Sequence, residues 1–346
     1  MKELHEIQKT VQKNCDLIDA ESGQNYGLCI YLLKMRDYYR WHNRIPLHDD
    51  IENESVHKWI AEIEEYWESI SGQPLQDLEL NGHRYTPFES VSINEHLVPE
   101  KFIYSGGLGY GGIPLFFLAE LDAIEDRSGF TIYLAGKELS RGLFGSPALF
   151  IGDTIFIRKE TLSYWLWSRY DEWGFDRRDN TLGRAMSYYP FESDPQRAIS
   201  EITAVELETL IQHEIGEGLL EKELGTVWND MVVIFAYTKT EILLRAVRDL
   251  IVDCTTTLPF LIGEERIPSI HFYFSGFSDM RKELFPSLMK AYREWCSTSD
   301  SDRLLEVAES KTSFWIGIGK KATDLYNSKQ RAAQTEIDSL IESSIV

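Results

Sequence analysis

Several features that often reveal the class of a protein are scarce or missing in this sequence. The four cysteines, Cys15, Cys29, Cys254 and Cys296, are too scattered for a CxxC metal or redox motif. No uninterrupted apolar run approaches the roughly 20 residues that span a bilayer, and the charged, amphipathic start lacks a signal-peptide core. We therefore expect a cytoplasmic protein without a membrane partner, in which Cys29 and Cys254 are buried as small apolar side chains.

Positive charge is also in short supply. The chain has 35 Lys and Arg against 56 Asp and Glu, which gives a formal net charge of −21. Such an acidic surface repels the phosphates of nucleic acids, and the basic pairs Arg177-Arg178 and Lys320-Lys321 are too short to overcome this repulsion. Nucleic acid is therefore not an expected partner, whereas a small-molecule substrate or a protein partner stays open.

Two familiar catalytic or cofactor motifs find no support. The G-x-S-x-G pattern of a serine hydrolase does not occur. Residues 107–112 read GLGYGG and formally match G-x-G-x-x-G, but Pro114 and an extended apolar run follow where a dinucleotide fold would place a helix. This segment is better interpreted as a glycine-rich turn between strands.

The patterns that are present predict an α+β fold that is mainly helical, with a small, largely antiparallel sheet in the N-terminal half. Hydrophobic residues make up 43% of the chain and aromatic residues 12%, as in a globular protein. Helical spacing dominates the N-terminal region 1–75 and the C-terminal region 161–346, whereas short β-like runs fill the region 76–160. We expect about five or six strands, with turns at Asn81-Gly82 and Gly152-Asp153.

Three predictions concern individual elements of the C-terminal region. A long helix is expected from about residue 197 to 224, with Gly225 as its C-terminal stop. A second long helix is expected from about 228 to 255, ending before Pro259. The segment IPSIHFYFSG, residues 267–276, alternates in a way that is typical of a strand.

The most informative motif is HEIGE, residues 213–217, inside the first of these long helices. One stripe of that helix, at successive spacings of four and three residues, combines apolar and ionisable side chains: Glu206, Leu210, His213, Glu217, Leu220 and Leu224. A buried stripe normally excludes charge, because desolvating an ion is unfavourable unless a partner or a metal compensates. The stripe therefore marks a candidate site.

The ionisable residues of the stripe suit a metal ion. Glu206, His213 and Glu217 are spaced so that they can converge on one ion, and Glu214 could act as a general base or lie behind the ligands. The second histidine of an HExxH zinc site is absent, because position 217 is Glu. Carboxylates with one imidazole favour Fe, Mn or Mg over Zn.

The second long helix carries a narrow polar stripe that could face the first. Its charged members are Glu241, Arg245, Arg248, Asp249 and Asp253. Asp249 or Asp253 could complete a metal shell, with Arg245 or Arg248 orienting an anionic substrate. Alternatively, the stripe is solvated, or its arginines neutralise the glutamates in a buried ion-pair network.

The strings CIYLLKMRDYYRW, YSGG, HEIGE, RAVRDLIVD and HFYFSGFSDMRKELFP resemble those of an uncharacterised bacterial protein family of unknown function. This resemblance implies a bacterial, cytoplasmic protein and supplies no activity. Two hypotheses follow from the residues themselves. The first is a metal-dependent enzyme, oxidative or hydrolytic, and the second is a non-catalytic ligand-binding or protein-interaction protein.

Overall fold

The computed structural model describes residues 2–23, 27–109, 112–175, 180–277 and 279–346. The chain forms two compact units, one of residues 1–169 with 194–203, the other of residues 170–193 with 204–346. The expected α+β class with a helical majority is confirmed. The division into regions 1–75, 76–160 and 161–346 stays a prediction. Arg177-Arg178 and part of the glycine-rich turn 107–112 lie outside the described residues.

The described residues of the first unit form two sheets with helices on or beside them. Its helices are α1 (Lys2–Ser22), α2 (Leu28–His42), α3 (Asn53–Ile70), α4 (Ser90–Leu97), the first part of α5 (Lys159–Phe175) and the first part of α7 (Pro195–Leu224). Helix α1 packs on the larger sheet and on α3, and its apolar residues Ile7, Val11 and Cys15 are buried there. Helix α4 follows the edge of that sheet, where the Asn94 side chain pairs with the backbone N–H and C=O of Tyr104.

The sheets of the first unit are more extensive than the sequence predicts. A two-stranded hairpin joins β1 (Leu78–Leu80) to β2 (His83–Tyr85), and five further strands form the larger sheet in the order β3-β4-β5-β7-β6. These strands are β3 (Phe102–Leu108), β4 (Pro114–Arg127), β5 (Phe130–Arg141), β6 (Ala148–Ile151) and β7 (Thr154–Arg158). Strands β5 and β7 are parallel and the other neighbours antiparallel, so the sheet is mixed.

Both predicted tight turns are present. Asn81 and Gly82 have φ of 50° and 76°, the left-handed pair that a two-residue hairpin requires. Gly152, with φ of 62°, closes the hairpin between β6 and β7. Because these dipeptides fix the backbone locally, the sequence was sufficient to place them.

A buried ion pair lies under the larger sheet. Glu138 accepts hydrogen bonds from Arg158 Nη2 at 2.7 Å and from Arg158 Nε at 3.1 Å, and both side chains are fully buried. The Thr161 hydroxyl also donates to Glu138 Oε1, at 2.5 Å. Burial raises the pKa of Glu138, but the guanidinium groups of Arg158 and Arg141 lower it more, so the net shift is downward. This satisfied pair fixes β5 against β7.

No strand occurs among the described residues of the second unit. It contains the end of α5 and most of α7 (Pro195–Leu224), together with α6 (Thr181–Met186), α8 (Val227–Ile234), α9 (Lys239–Val252), α10 (Leu258–Gly263), α11 (Ile267–Gly276), α12 (Asp279–Leu284), α13 (Pro286–Thr298), α14 (Ser301–Glu309), α15 (Thr312–Lys329) and α16 (Gln334–Glu342). Its core is lined by α9, α11, α13 and α15, with Leu243, Leu244 and Trp315 among its fully buried members. Gly225, with φ of 79°, ends α7 as expected.

The predicted strand at 267–276 was wrong, because this segment is helix α11. Pro268 occupies the first turn, where a missing N–H is harmless. Ser269, Ile270, His271 and Phe272 are all buried in succession, which a strand with one solvent face would not allow. The apparent alternation arose from a helix that is buried on several sides.

The second long helix is also interrupted where the sequence predicts continuity. Between α8 and α9, Tyr237 adopts a left-handed φ of 63°. The backbone N–H of Tyr237 donates a hydrogen bond to the Glu241 carboxylate at 2.7 Å. The Thr-x-x-Glu signature of a helix start, Thr238 to Glu241, was present in the sequence. After Val252 the helix widens into a π-helical turn, Asp253–Thr257, and continues into α10.

Two further expectations concern cysteine burial and membranes. Cys254 is buried as predicted, but Cys29 is exposed near the start of α2, so that prediction was wrong. The surrounding apolar residues Leu28, Ile30 and Leu33 are exposed as well, since the helix buries its face farther along, at Met35 and Tyr38. Within the described part of the chain, no helix is long and apolar enough to cross a membrane.

Candidate functional site

The HEIGE residues lie in the part of α7 that belongs to the second unit. Because four residues make about one helical turn, His213 and Glu217 project from the same side of α7, and their side chains meet with 3.2 Å between His213 Nε2 and Glu217 Oε1. Both side chains are half-buried, with 25% and 18% of their surface exposed. Of the three leucines of the stripe, Leu220 and Leu224 are buried and Leu210 is partly exposed.

The polar stripe of α9 faces this side of α7. Arg248 Nη2 lies 2.8 Å from Glu217 Oε1 and 3.2 Å from Asp249 Oδ1. On the opposite face of α9, Leu243, Val247 and Leu250 are fully buried in the core of the second unit. Helix α9 can therefore place charged groups against α7 while its apolar side holds it in position.

Three residues present possible ligand atoms close together. Each of His213, Glu217 and Asp249 offers one possible metal-ligand atom, and these three atoms lie within 4.8 Å of one another. Nitrogen and oxygen ligands lie about 2.0–2.2 Å from a metal ion, so two ligands of the same ion are at most roughly 4.4 Å apart and usually closer. The three atoms would therefore have to move closer together to bind one ion.

The ionisation of the cluster reflects burial opposed by neighbouring charges. Burial would lower the pKa of His213, but the hydrogen bond and negative charge of Glu217, with further carboxylates, raise it to about 9. Burial would raise the pKa of Glu217, but the charge of Arg248 and the contact with His213 lower it to about 2. Burial and the negative charge of Glu217 raise the pKa of Glu214 to about 7.

The backbone of Gly216 in the HEIGE motif lies against side chains of the π-helical turn and of Val252 just before it. A Cβ on Gly216 would lie 2.2 Å from Thr256 Oγ1 and 2.7 Å from Val252 Cγ1, so that only glycine fits there. The Thr256 and Thr255 hydroxyls donate to the carbonyls of Val252 and Ile251, each at 2.9 Å, and so satisfy backbone groups beside the widened turn. Pro259, which cannot donate a backbone hydrogen bond, follows directly.

The turn also contributes a contact to the histidine. Thr257 Oγ1 lies 3.5 Å from His213 Nδ1, so both ring nitrogens of His213 have a polar neighbour. A polar neighbour on the second ring nitrogen holds the orientation of an imidazole. π-Helical turns frequently occur at functional sites.

Two of the predicted ligands have other partners. Glu206 accepts a hydrogen bond from the Ser269 hydroxyl at 2.6 Å, and its position two turns before His213 places it about 10.5 Å away along the helix axis. Asp253 is fully buried, and its Oδ2 accepts a hydrogen bond from Arg281 Nη1 at 3.1 Å. The positive charge of His213 also acts on Asp253, which places this carboxylate near the cluster.

The predicted substrate-binding arginines differ in their surroundings. Arg245 Nε donates to the buried carboxylate of Glu241 at 2.9 Å, whereas Arg248 contacts two of the three possible ligands. Sequence reasoning did not identify Thr257, Gly216 and Arg281 as neighbours of the cluster. Thr257 and Arg281 carry no local signal of such a role, but glycine in the middle of a strong helical pattern could have indicated the close approach at Gly216.

Comparison with known proteins gives a family but no activity. The N-terminal domain model of a family of unknown function (DUF6866) matches residues 6–158, and its C-terminal domain model matches residues 163–344. No curated protein and no solved structure matches the chain. All the residues of the candidate site fall within the C-terminal match.

Proposed function

The chain belongs to the DUF6866 family of unknown function, and we propose that it is a metal-dependent enzyme whose ion is bound by His213, Glu217 and Asp249. The observation that carries this proposal is the convergence of an imidazole and two carboxylates, from two helices, within 4.8 Å. All three side chains are partly shielded from water, which strengthens their attraction for a cation.

The set of ligands favours Fe, Mn or Mg over Zn. Oxygen-rich sites with a single imidazole and no thiolate suit these ions better. A metal would have to displace the proton that His213 holds, since only the neutral imidazole is a ligand. Glu206 and Asp253 are further proposed ligands, but each would first have to leave Ser269 or Arg281.

Glu214 is the proposed general base. Its pKa of about 7 is close to neutral pH, where a base can both accept and release a proton during turnover. Arg245 and Arg248 supply positive charge beside the carboxylates for an anionic substrate. An oxidative and a hydrolytic reaction are both compatible with this arrangement.

The metal content of tag-free protein tests the proposal. After dialysis against Mn²⁺ and removal of free ion, we expect about one Mn²⁺ per wild-type chain and less than about one tenth of this in His213→Ala, because the site loses its imidazole. His57→Ala is a matched control, since this histidine is exposed and lies in the first unit. Wild-type protein that retains no ion would overturn the proposal.

A second candidate function has an observation in its favour. Arg248 bridges Glu217 and Asp249 at 2.8 and 3.2 Å, as in a buried ion-pair network that fixes two helices in register. In that case the protein is a non-catalytic binding or interaction protein. Metal-free wild-type protein, together with a lower free energy of unfolding in Arg248→Gln, would favour this function.

Bacterial origin and a cytoplasmic location are parts of the same proposal. The first rests on the resemblance of the sequence strings, and the second is supported by the free thiols of Cys15 and Cys254, which are buried without a disulfide. The net charge of −21 supports a partner other than nucleic acid.

A further inference from the structure

Arg248 forms ion pairs with Glu217 and Asp249, the two carboxylates that the proposed ion would bind. Its Nη2 lies 2.8 Å from Glu217 Oε1, and both Nη2 and Nε contact Asp249 Oδ1, at 3.2 and 3.3 Å. Only 25% of the Arg248 side chain is exposed. The guanidinium therefore neutralises two of the three possible ligands, much as a cation would.

A divalent ion and this guanidinium repel each other at such a distance. A lysine or histidine could respond by losing its proton, but arginine stays charged at any pH that a protein tolerates. The Arg248 side chain must therefore move when an ion binds Glu217 and Asp249. Its length and partial exposure give it room to rotate towards solvent without unfolding α9.

Two neighbouring arginines have hydrogen bonds to other carboxylates. Arg281 pairs with Asp253 and donates to the carbonyl of Gly276, and Arg245 pairs with Glu241. Neither Asp253 nor Glu241 belongs to the group of three converging ligands. The hydrogen bonds of Arg248 fall instead on two of the candidate metal ligands, Glu217 and Asp249.

We infer that Arg248 and the divalent ion exchange at Glu217 and Asp249, and that the released guanidinium then binds an oxyanion of the substrate beside the ion. This inference rests on the proposed function and adds both a regulatory step and a substrate class. The planar guanidinium pairs with a carboxylate or a phosphate through two parallel hydrogen bonds. In the ion-free protein, the same group prevents repulsion between Glu217 and Asp249.

Two binding measurements test the exchange. Mn²⁺ titration by calorimetry should show that Arg248→Gln binds Mn²⁺ at least about tenfold more tightly than wild type, because a competing charge is removed. Arg303→Gln is the matched control, since it removes the same charge from an exposed pair with Glu306 on α14, and we expect a change of less than about threefold. Inorganic phosphate and acetate are then titrated separately into the Mn²⁺-loaded proteins.

The titrations with phosphate and acetate distinguish a phosphate substrate from a carboxylate substrate. Wild type should bind phosphate or acetate only when Mn²⁺ is present, and Arg248→Gln should lose at least about tenfold of that affinity. The probe that binds more tightly identifies the substrate oxyanion. Arg248→Lys keeps the charge but not the planar geometry, so it should retain weak Mn²⁺ binding and lose the oxyanion. This variant decides the question if Arg248→Gln does not fold, as judged by circular dichroism.

The measurements distinguish a failure of the proposed metal site from a failure of the exchange and from a failure of the substrate assignment. If no variant and no wild-type protein binds Mn²⁺, the proposed function falls and the exchange falls with it. If wild type binds Mn²⁺ and Arg248→Gln binds it equally or less tightly, the exchange is wrong while the metal site stands. If metal binding responds as expected but neither oxyanion binds, the substrate assignment is overturned.

Discussion

Glu206 and Glu217 show how strongly the immediate neighbours of a residue decide its chemistry. Both are carboxylates on one face of α7. Burial raises the pKa of Glu206 to about 7, because the hydrogen bond from Ser269 and the charge of Arg266 offset only part of the desolvation. At Glu217 the guanidinium of Arg248 reverses the effect of burial and gives a pKa of about 2. Identical side chains therefore differ in charge at neutral pH.

The raised pKa of Glu206 predicts a pH-dependent stability. The folded protein holds this proton more tightly than the unfolded chain, so the contribution of Glu206 to the free energy of unfolding should fall as pH rises from about 4.5 to 7 and then level off. Glu206→Gln should remove this part of the pH dependence and stabilise the protein by about 3 kcal/mol at pH 8. Asp16, Asp37 and His213, whose pKa values are also raised, keep their own contributions. Urea denaturation in the presence of a chelator, at several pH values, measures the effect.

A carboxylate elsewhere on α7 provides the control for this prediction. Glu223 forms an exposed pair with Lys320, and Glu223→Gln should change the free energy of unfolding by less than about 1 kcal/mol at every pH. If Glu206→Gln and wild type lose stability in parallel between pH 4.5 and 8, burial of Glu206 is not the source of the dependence.

At the scale of elements, the site depends on the contact between α7 and the π-helical turn. The turn occurs where α9 would otherwise continue regularly into Pro259, and it brings Thr256 against Gly216 and Thr257 near His213. Glycine is unfavourable in a helix interior, so its presence at the centre of HEIGE is explained by the close approach. The spacing of His213 from α9 is set by this contact.

Adding one methyl group at the contact should separate the two elements. Gly216→Ala places a Cβ 2.2 Å from Thr256 Oγ1, and we expect a loss of about 1–3 kcal/mol in the free energy of unfolding. Weaker Mn²⁺ binding should accompany it, because His213 and Asp249 move apart. Thermal or urea denaturation and calorimetry measure the two effects.

A second glycine tests whether the effect is steric. Among the described residues, no atom beyond the neighbouring helix backbone lies within 4 Å of a Cβ at Gly317 on α15, so Gly317→Ala should stabilise the protein by about 0.5–1 kcal/mol through helix propensity alone. The double variant Gly216→Ala with Thr256→Ala removes the nearest clashing atom and should recover part of the loss. Equal effects at positions 216 and 317 would show that close packing does not matter here.

For the whole molecule, the dominant electrostatic property is its charge. With 56 acidic and 35 basic side chains, the folded chain repels itself more than the expanded unfolded chain does. Raising NaCl from about 0.01 to 0.15 M shortens the screening length from roughly 30 to 8 Å and should increase the free energy of unfolding. Choline chloride at equal ionic strength should increase the free energy of unfolding by a similar amount, since screening depends on ionic strength. An unchanged urea midpoint in both salts would contradict this expectation.

The sequence alone was sufficient for features that depend on a few neighbouring residues. The helical period places α7 and its end at Gly225, and Asn81-Gly82 and Gly152-Asp153 place two hairpins, because side-chain spacing and allowed backbone angles act locally. Composition alone also establishes the acidic character. The same local pattern indicated that polar groups share one face of α7 with leucines, and it therefore drew attention to His213 and Glu217.

Tertiary structure decided which residues meet. Segment 267–276 is a helix because packing on several sides outweighs its apparent alternation, and Asp249 meets His213 while Glu206 bonds to Ser269. These partners depend on how α9, its π-helical turn and α11 pack against α7, and each packing contact is set by many distant side chains at once. A periodic pattern specifies the face that an element buries, but the three-dimensional path of the chain determines what lies opposite that face.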